Sequence, residues 1–156
     1  MPPTFTQSLA DSLNARCSFT VTEAGNNEAV KSRYVYIAPG GKHLLLRRSG
    51  RDVFLVVNSQ PPEWGCRPSA DVLFRSAATV YQGEVIALIL TGMGADGTRG
   101  AAVLKRAGAY IIAQDEESSV VWGMPGSVYA SGNVDEMLPP AKIPDTVAAL
   151  VRKIEN

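Results

Sequence analysis

Histidine and cysteine are scarce in this chain, with one of the first and two of the second in 156 residues. Cys17 and Cys66 stand far apart and form neither a C-x-x-C redox pair nor a zinc spacing, so the expectation is no metal and no dithiol chemistry. A surplus of either charge is also lacking. Fifteen basic and fifteen acidic residues cancel, which leaves no net field to favour nucleic acid or an anionic membrane surface. Lys42, Arg47, Arg48 and Arg51 form one local cluster, but Leu44, Leu45 and Leu46 interrupt it and no aromatic platform accompanies it. It reads as the solvated face of a hairpin. No apolar run reaches the ~18 to 20 residues of a membrane span. Met1-Pro2-Pro3-Thr4 has neither the charged start nor the apolar run of a signal peptide, so a reducing, cytoplasmic setting is expected.

Aliphatic residues and glycine, by contrast, are plentiful. At 46% hydrophobic the chain is sized for one globular domain over 1–156 with a real core. Its most telling passage runs Val85-Ile86-Ala87-Leu88-Ile89-Leu90-Thr91 and then Gly92-Met93-Gly94-Ala95-Asp96-Gly97. Seven residues without alternation suit a parallel strand covered on both faces, and Thr98 to Ala107 has the composition of a helix. Glycines at 92, 94 and 97 permit positive φ and close backbone approach, so N–H groups can converge on a negative oxygen near a helix N-terminus. Asp96 is then a helix cap or a catalytic orienter. The same letters satisfy G-x-G-x-x-G, with Asp115 about 20 residues on, which keeps open a nicotinamide-binding oxidoreductase that would cradle a pyrophosphate on Gly92, Gly94 and Gly97.

Along the chain, Leu9, Ala10 and Leu13 describe one face of a helix capped by Thr4 or Thr6 and ending near Ala15. Phe19, Val21 and Glu23 begin a short strand, Gly25-Asn26-Asn27 turns, and Tyr34 to Ala38 is a second strand stopped by Pro39-Gly40-Gly41. Leu44 to Arg48 and Val53 to Val57 read as an antiparallel hairpin. The proline-rich stretch Ser59 to Ser69 is an irregular connection, followed by a helix from Ala70 to Tyr81 that turns Val72, Leu73 and Phe74 toward packing. After the glycine turn and its helix come a strand at Tyr110 to Ala113, a short helix at Pro125 to Ala130, a strand at Val134 to Leu138 and a closing helix from Asp145 to Ile154. Strands alternating with helices call for an α/β fold, doubly wound, with a mainly parallel sheet, helices on both faces and the hairpin as an insertion.

Several passages in order resemble the catalytic domain of the bacterial chemotaxis protein-glutamate methylesterases. They are Met1-Pro2-Pro3 with Phe5-Thr6-Gln7-Ser8-Leu9-Ala10, Tyr36-Ile37-Ala38-Pro39-Gly40-Gly41-Lys42-His43-Leu44, Arg67-Pro68-Ser69-Ala70-Asp71-Val72-Leu73-Phe74-Arg75-Ser76, Leu90 to Gly97, Ala113-Gln114-Asp115-Glu116, and Gly123-Met124-Pro125. The resemblance implies a serine hydrolase that removes methyl esters from glutamates on the cytoplasmic helices of chemoreceptors, with glutamine deamidation as a companion activity and no cofactor or metal. It places Asp96 as the residue that orients a histidine base. It makes Met93, flanked by Gly92 and Gly94, part of the oxyanion environment. Arg67, Ser69 and His43 would fall on the substrate side.

The resemblance also marks a departure. The family's serine follows its first strand and its histidine immediately precedes the Met-Pro-Pro; neither has a counterpart in these residues. The expectation is a catalytic domain short of its first two strands and of the phosphorylatable receiver domain, without turnover of its own and prone to self-association through an open sheet edge. His43, the one imidazole, falls in a Pro-Gly-Gly turn as a structural or substrate-side residue. Ser69 and Ser76 read as a helix cap and an exposed helix position, and Asp115-Glu116-Glu117 as a solvated loop. A non-catalytic module that keeps a receptor-facing surface is the remaining alternative.

Overall fold

The computed structural model describes residues 2–154, so the Met1 of the Met-Pro-Pro match lies outside the described residues. Two compact units, Met1–Val80 and Tyr81–Asn156, each have their own core. The fold is α/β, with parallel strands, helices and one antiparallel hairpin.

In the first unit α1 (Pro3–Asn14) leads to β1 (Thr20–Glu23), which pairs in parallel with β2 (Tyr34–Ile37), Val21 opposite Val35. The helix begins earlier than the Thr4 or Thr6 caps expected. Pro2 is its N-cap without a side-chain hydrogen bond, and Pro3 supplies a φ already suited to the first turn. Thr6 is instead drawn inside, its hydroxyl meeting the Pro3 carbonyl and the Glu23 carboxylate and accepting the Gly40 N–H at 2.9 Å. The buried stripe is therefore Thr6 and Ala10, while Leu9 faces out. Phe19 also differs from expectation: it precedes β1 and is exposed.

The hairpin is β3 (His43–Ser49) against β4 (Asp52–Asn58), in a register that sets Leu44 opposite Val57 and Leu46 opposite Leu55. Ala24, Leu44 and Leu55 form the centre of this core, with Val30, Tyr36, Ala38, Leu46, Val57 and Leu73 packed around it. A fully buried leucine contributes about 1.5–3 kcal/mol over an exposed one, so three or four such side chains decide whether a unit this small holds together. α2 (Ala70–Tyr81) has the bounds expected of it. Its inward face, however, carries Asp71, Ala77, Ala78 and Val80, with Val72, Leu73 and Phe74 only half-buried. Ser76 is no exposed position. Its Oγ donates to the Leu73 carbonyl at 2.7 Å and accepts the Leu46 N–H at 3.0 Å, which ties α2 to the hairpin.

The second unit is a three-stranded parallel sheet in the order β5 (Ile86–Ile89), β6 (Tyr110–Gln114), β7 (Glu136–Leu138), with Leu88 opposite Ile112. α3 (Thr98–Arg106) and α4 (Met124–Ala130) contact β6, and α5 (Ile143–Ile154) closes the chain. Ile111 and Ile112, pointing to opposite faces, are both fully buried, so the central strand is covered on each side. β5 does not match the reading of a seven-residue strand covered on both faces. Only four residues pair, and Leu88 is 37% and Leu90 45% exposed. The cause is position: β5 is the edge strand, with a neighbour on one side among the described residues. Asp135 fastens the opposite end, where its Oδ2 accepts the Ile111 N–H at 2.8 Å and its Oδ1 meets the Lys105 ammonium.

Candidate active site

Open α/β sheets keep their sites beyond the carboxyl ends of their strands, where loops converge. At the carboxyl end of β5 lies the glycine turn, and at that of β6 lies the loop 115–123. The two are sewn together by backbone. Gly92 donates its N–H to the Val121 carbonyl at 3.1 Å, Met124 donates to the Gly92 carbonyl at 2.8 Å, and Val121 donates to the Thr91 hydroxyl at 2.8 Å. The Thr91 hydroxyl in turn donates to the Val121 carbonyl at 3.2 Å.

Space, as much as φ, explains the glycines. A Cβ on Gly92 would come within 2.7 Å of the Met124 sulfur, and one on Gly123 within 2.6 Å of the Gly92 carbonyl and 2.9 Å of the Gly94 nitrogen. The close approach they allow is to the chain's own 121–124 segment. Gly94 at φ 92° and Gly97 at φ 93° take the left-handed region that disfavours other residues.

Gly97, not Asp96, is the N-cap of α3. Asp96 stands one residue earlier, half-buried, on the turn between the end of β5 and the start of the helix. Of the expected oxyanion donors, Gly92 has spent its N–H on Val121. The N–H groups of Met93 and Gly94 make no hydrogen bond among the described residues, and the Met93 side chain is 87% exposed. The turn thus presents, within four residues, one carboxylate and two unspent backbone donors. That combination can orient a cationic imidazole and receive a negative oxygen, which is the electrostatic half of acyl transfer.

Asp96, Met93, Gly92 and Gly94 share this one turn; His43, Ser69 and Arg67 belong to the first unit. His43 opens β3 and is 1% exposed, with Nε2 3.1 Å from the Pro61 carbonyl. A carbonyl only accepts, so Nε2 carries the proton and His43 anchors the 59–69 connection as a structural residue. Arg67 is half-buried and serves the same connection, its Nη1 donating to the carbonyls of Ser59 at 3.2 Å and Gln60 at 3.1 Å. Ser69 is buried at the entrance to α2, where its carbonyl accepts the Leu73 N–H at 3.4 Å. Asp115, the acid of the nicotinamide alternative, holds its own loop: Oδ1 accepts the Ser118 N–H at 3.0 Å and meets the Ser118 hydroxyl. Sequence reasoning missed Gln114 as a separate residue of the site. It is a polar side chain, 3% exposed, at the end of a run of buried aliphatics, and that conflict between type and position was the available signal.

A glycine turn with an acid beyond the edge strand of a parallel sheet is the place where an α/β enzyme domain would keep its site. A family model described as CheB methylesterase matches residues 1–147. The chain is 44% identical over 147 residues to a protein of Trichodesmium erythraeum (strain IMS101) named protein-glutamate methylesterase/protein-glutamine glutaminase, covering 94% of this chain and 42% of that one. A protein of the same name from Desulfotalea psychrophila is 47% identical over 154 residues, covering 97% and 42%. Among solved structures, the Thermotoga maritima CheB methylesterase catalytic domain superposes with a TM-score of 0.93 at 45% identity, over 96% of this chain and 79% of that one. The chain belongs to the CheB methylesterase family and corresponds to its catalytic domain; it spans about two fifths of the curated relatives it matches.

Proposed function

We propose that this chain is the acid-bearing part of a protein-glutamate methylesterase that hydrolyses γ-methyl esters of glutamate on the cytoplasmic helices of chemoreceptors, and deamidates glutamine there. The observation that carries the reading is the turn itself: Asp96 lies beside the unspent N–H groups of Met93 and Gly94, at the carboxyl end of a parallel strand. Asp96 would hold an imidazole in the tautomer whose free nitrogen takes a proton from a serine hydroxyl, and would stabilise the imidazolium that results. The serine oxygen would attack the ester carbonyl and methanol would leave. The Met93 N–H, with Gly94 beside it, would steady the oxyanion formed on the way. Water would then release the glutamate.

The imidazole and the serine are not supplied by these 156 residues in the required setting. His43 is buried at the start of the hairpin and held to the Pro61 carbonyl, and none of the serines sits in the glycine-flanked elbow after a buried strand that such a nucleophile needs. The 156 residues alone are therefore inactive, and a polypeptide that also carries the family's serine turn and histidine is active in the cytoplasm, under a receiver domain. Methyl release from a labelled, methylated receptor tests this. No release above background is expected from the 156 residues, and release is expected from the longer polypeptide. Robust, stoichiometric turnover by the 156 residues would overturn the reading.

A further inference from the structure

Gln114 is the last residue of β6 and follows Ile111, Ile112 and Ala113, none of which is exposed. A primary amide in such a place must find partners for a carbonyl and an NH₂ group or forfeit the energy of desolvating them. It finds them on two separate segments. Oε1 accepts the Thr91 N–H at 2.8 Å, at the point where β5 gives way to the glycine turn. Nε2 donates to the Ser118 carbonyl at 2.8 Å and reaches the Ser118 hydroxyl at 3.2 Å, in the loop that returns to Thr91 through Val121. One side chain therefore fastens the start of the turn and the loop laid against it.

We propose that Gln114 is the positioning residue of this site: its amide fixes the glycine turn in the shape that leaves the Met93 and Gly94 N–H groups unbonded and facing no internal acceptor. It touches no reacting atom. The inference rests on the methylesterase reading for its purpose, but the geometry it asserts is measurable without any ester. The residue type follows from the partners. A carboxylate at 114 could still accept from Thr91 but would set a second acceptor against the Ser118 carbonyl, whereas its protonated form could donate there again.

The test is heteronuclear NMR of the ¹⁵N-labelled chain. In the unmodified protein the side-chain amide protons of Gln114 are expected to exchange at least about tenfold more slowly than those of exposed Gln82, as a satisfied buried hydrogen bond requires. In Gln114→Glu at pH 7 the amide resonances of Gly92 to Gly97 are expected to move while those of the β6–β7 ladder hold. Burial raises the pKa of the introduced acid, so the resonances should return to their wild-type positions as the pH falls through it, apart from changes the wild type shows itself. A side chain that merely fills space would give no such pH-dependent rescue. Gln114 protons exchanging as freely as those of Gln82, or a folded Gln114→Glu whose turn resonances match the wild type at pH 7, would overturn the proposal. Should the variant not fold, the exchange measurement on the unmodified chain decides alone. Failure of the methylesterase reading would show instead as absent methyl release from the longer polypeptide, with this NMR behaviour intact.

Discussion

Gly123 illustrates how tightly single residues are specified around the site. A methyl group there would press on two backbone atoms, the Gly92 carbonyl at 2.6 Å and the Gly94 nitrogen at 2.9 Å, neither of which can rotate away. Gly123→Ala is accordingly expected to cost about 1–3 kcal/mol, the range for overpacking, in urea denaturation; a variant as stable as the wild type would show that the 121–124 segment is not held against the turn. Tyr110 offers a pH-dependent case at the amino end of the central strand, away from the glycine turn. Burial first, then the charge and hydrogen bond of Glu136, then the charge of Asp135, raise its phenol above the ordinary 10.0. A group whose folded pKa lies above its unfolded value supports the fold fully below pH 10 and loses that contribution as the pH rises through the folded pKa. Denaturation curves between pH 9 and 11 should therefore show stability falling, and falling less in Tyr110→Phe; equal slopes would contradict the assignment.

Among the elements, those specified by their own residues were legible in the sequence. The hairpin follows from two aliphatic runs around Gly50, and α2 from a proline-free stretch with helical composition. Elements that depend on neighbours were not. Pro2 and Pro3 start α1 ahead of the threonines because Glu23 and Gly40, 17 and 34 residues beyond Thr6, claim the Thr6 hydroxyl. Seven apolar residues from Val85 gave the place of β5 but not its exposure, since composition does not say whether a strand lies alongside. At the site, the glycine spacing was enough to predict the tight turn on which Asp96 stands, with Gly94 and Gly97 at positive φ. Gln114 stayed hidden because the Thr91 amide it receives is 23 residues away. The open side of β5, with Leu88 and Leu90 on show, has its own consequence: unpaired edge groups beside apolar side chains invite another strand. Size-exclusion chromatography of the 156 residues is expected to show self-association that Leu88→Lys reduces, and a compact, stable monomer would contradict it.

At the scale of the whole molecule, the chain divides its labour between a first unit whose histidine, arginine and buried serine maintain its own connections and a second unit that bears the turn. The family relationship extends over nearly all of this chain yet over 42% of its curated relatives, and the chemistry proposed needs a serine and an imidazole from outside these residues. On the proposed reading, what the chain would contribute is orientation and charge stabilisation. Replacing an orienting aspartate by asparagine keeps the shape and spoils the tautomer, at a cost of ~10⁴ in kcat where the triad has been dissected in a serine protease. The most direct measurement is the methyl-release rate of Asp96→Asn in a polypeptide that includes the family's serine turn and histidine. A fall in kcat of about 10³-fold or more, with receptor binding retained, is the predicted result; a kcat within a few-fold of the wild type would remove Asp96 from the mechanism.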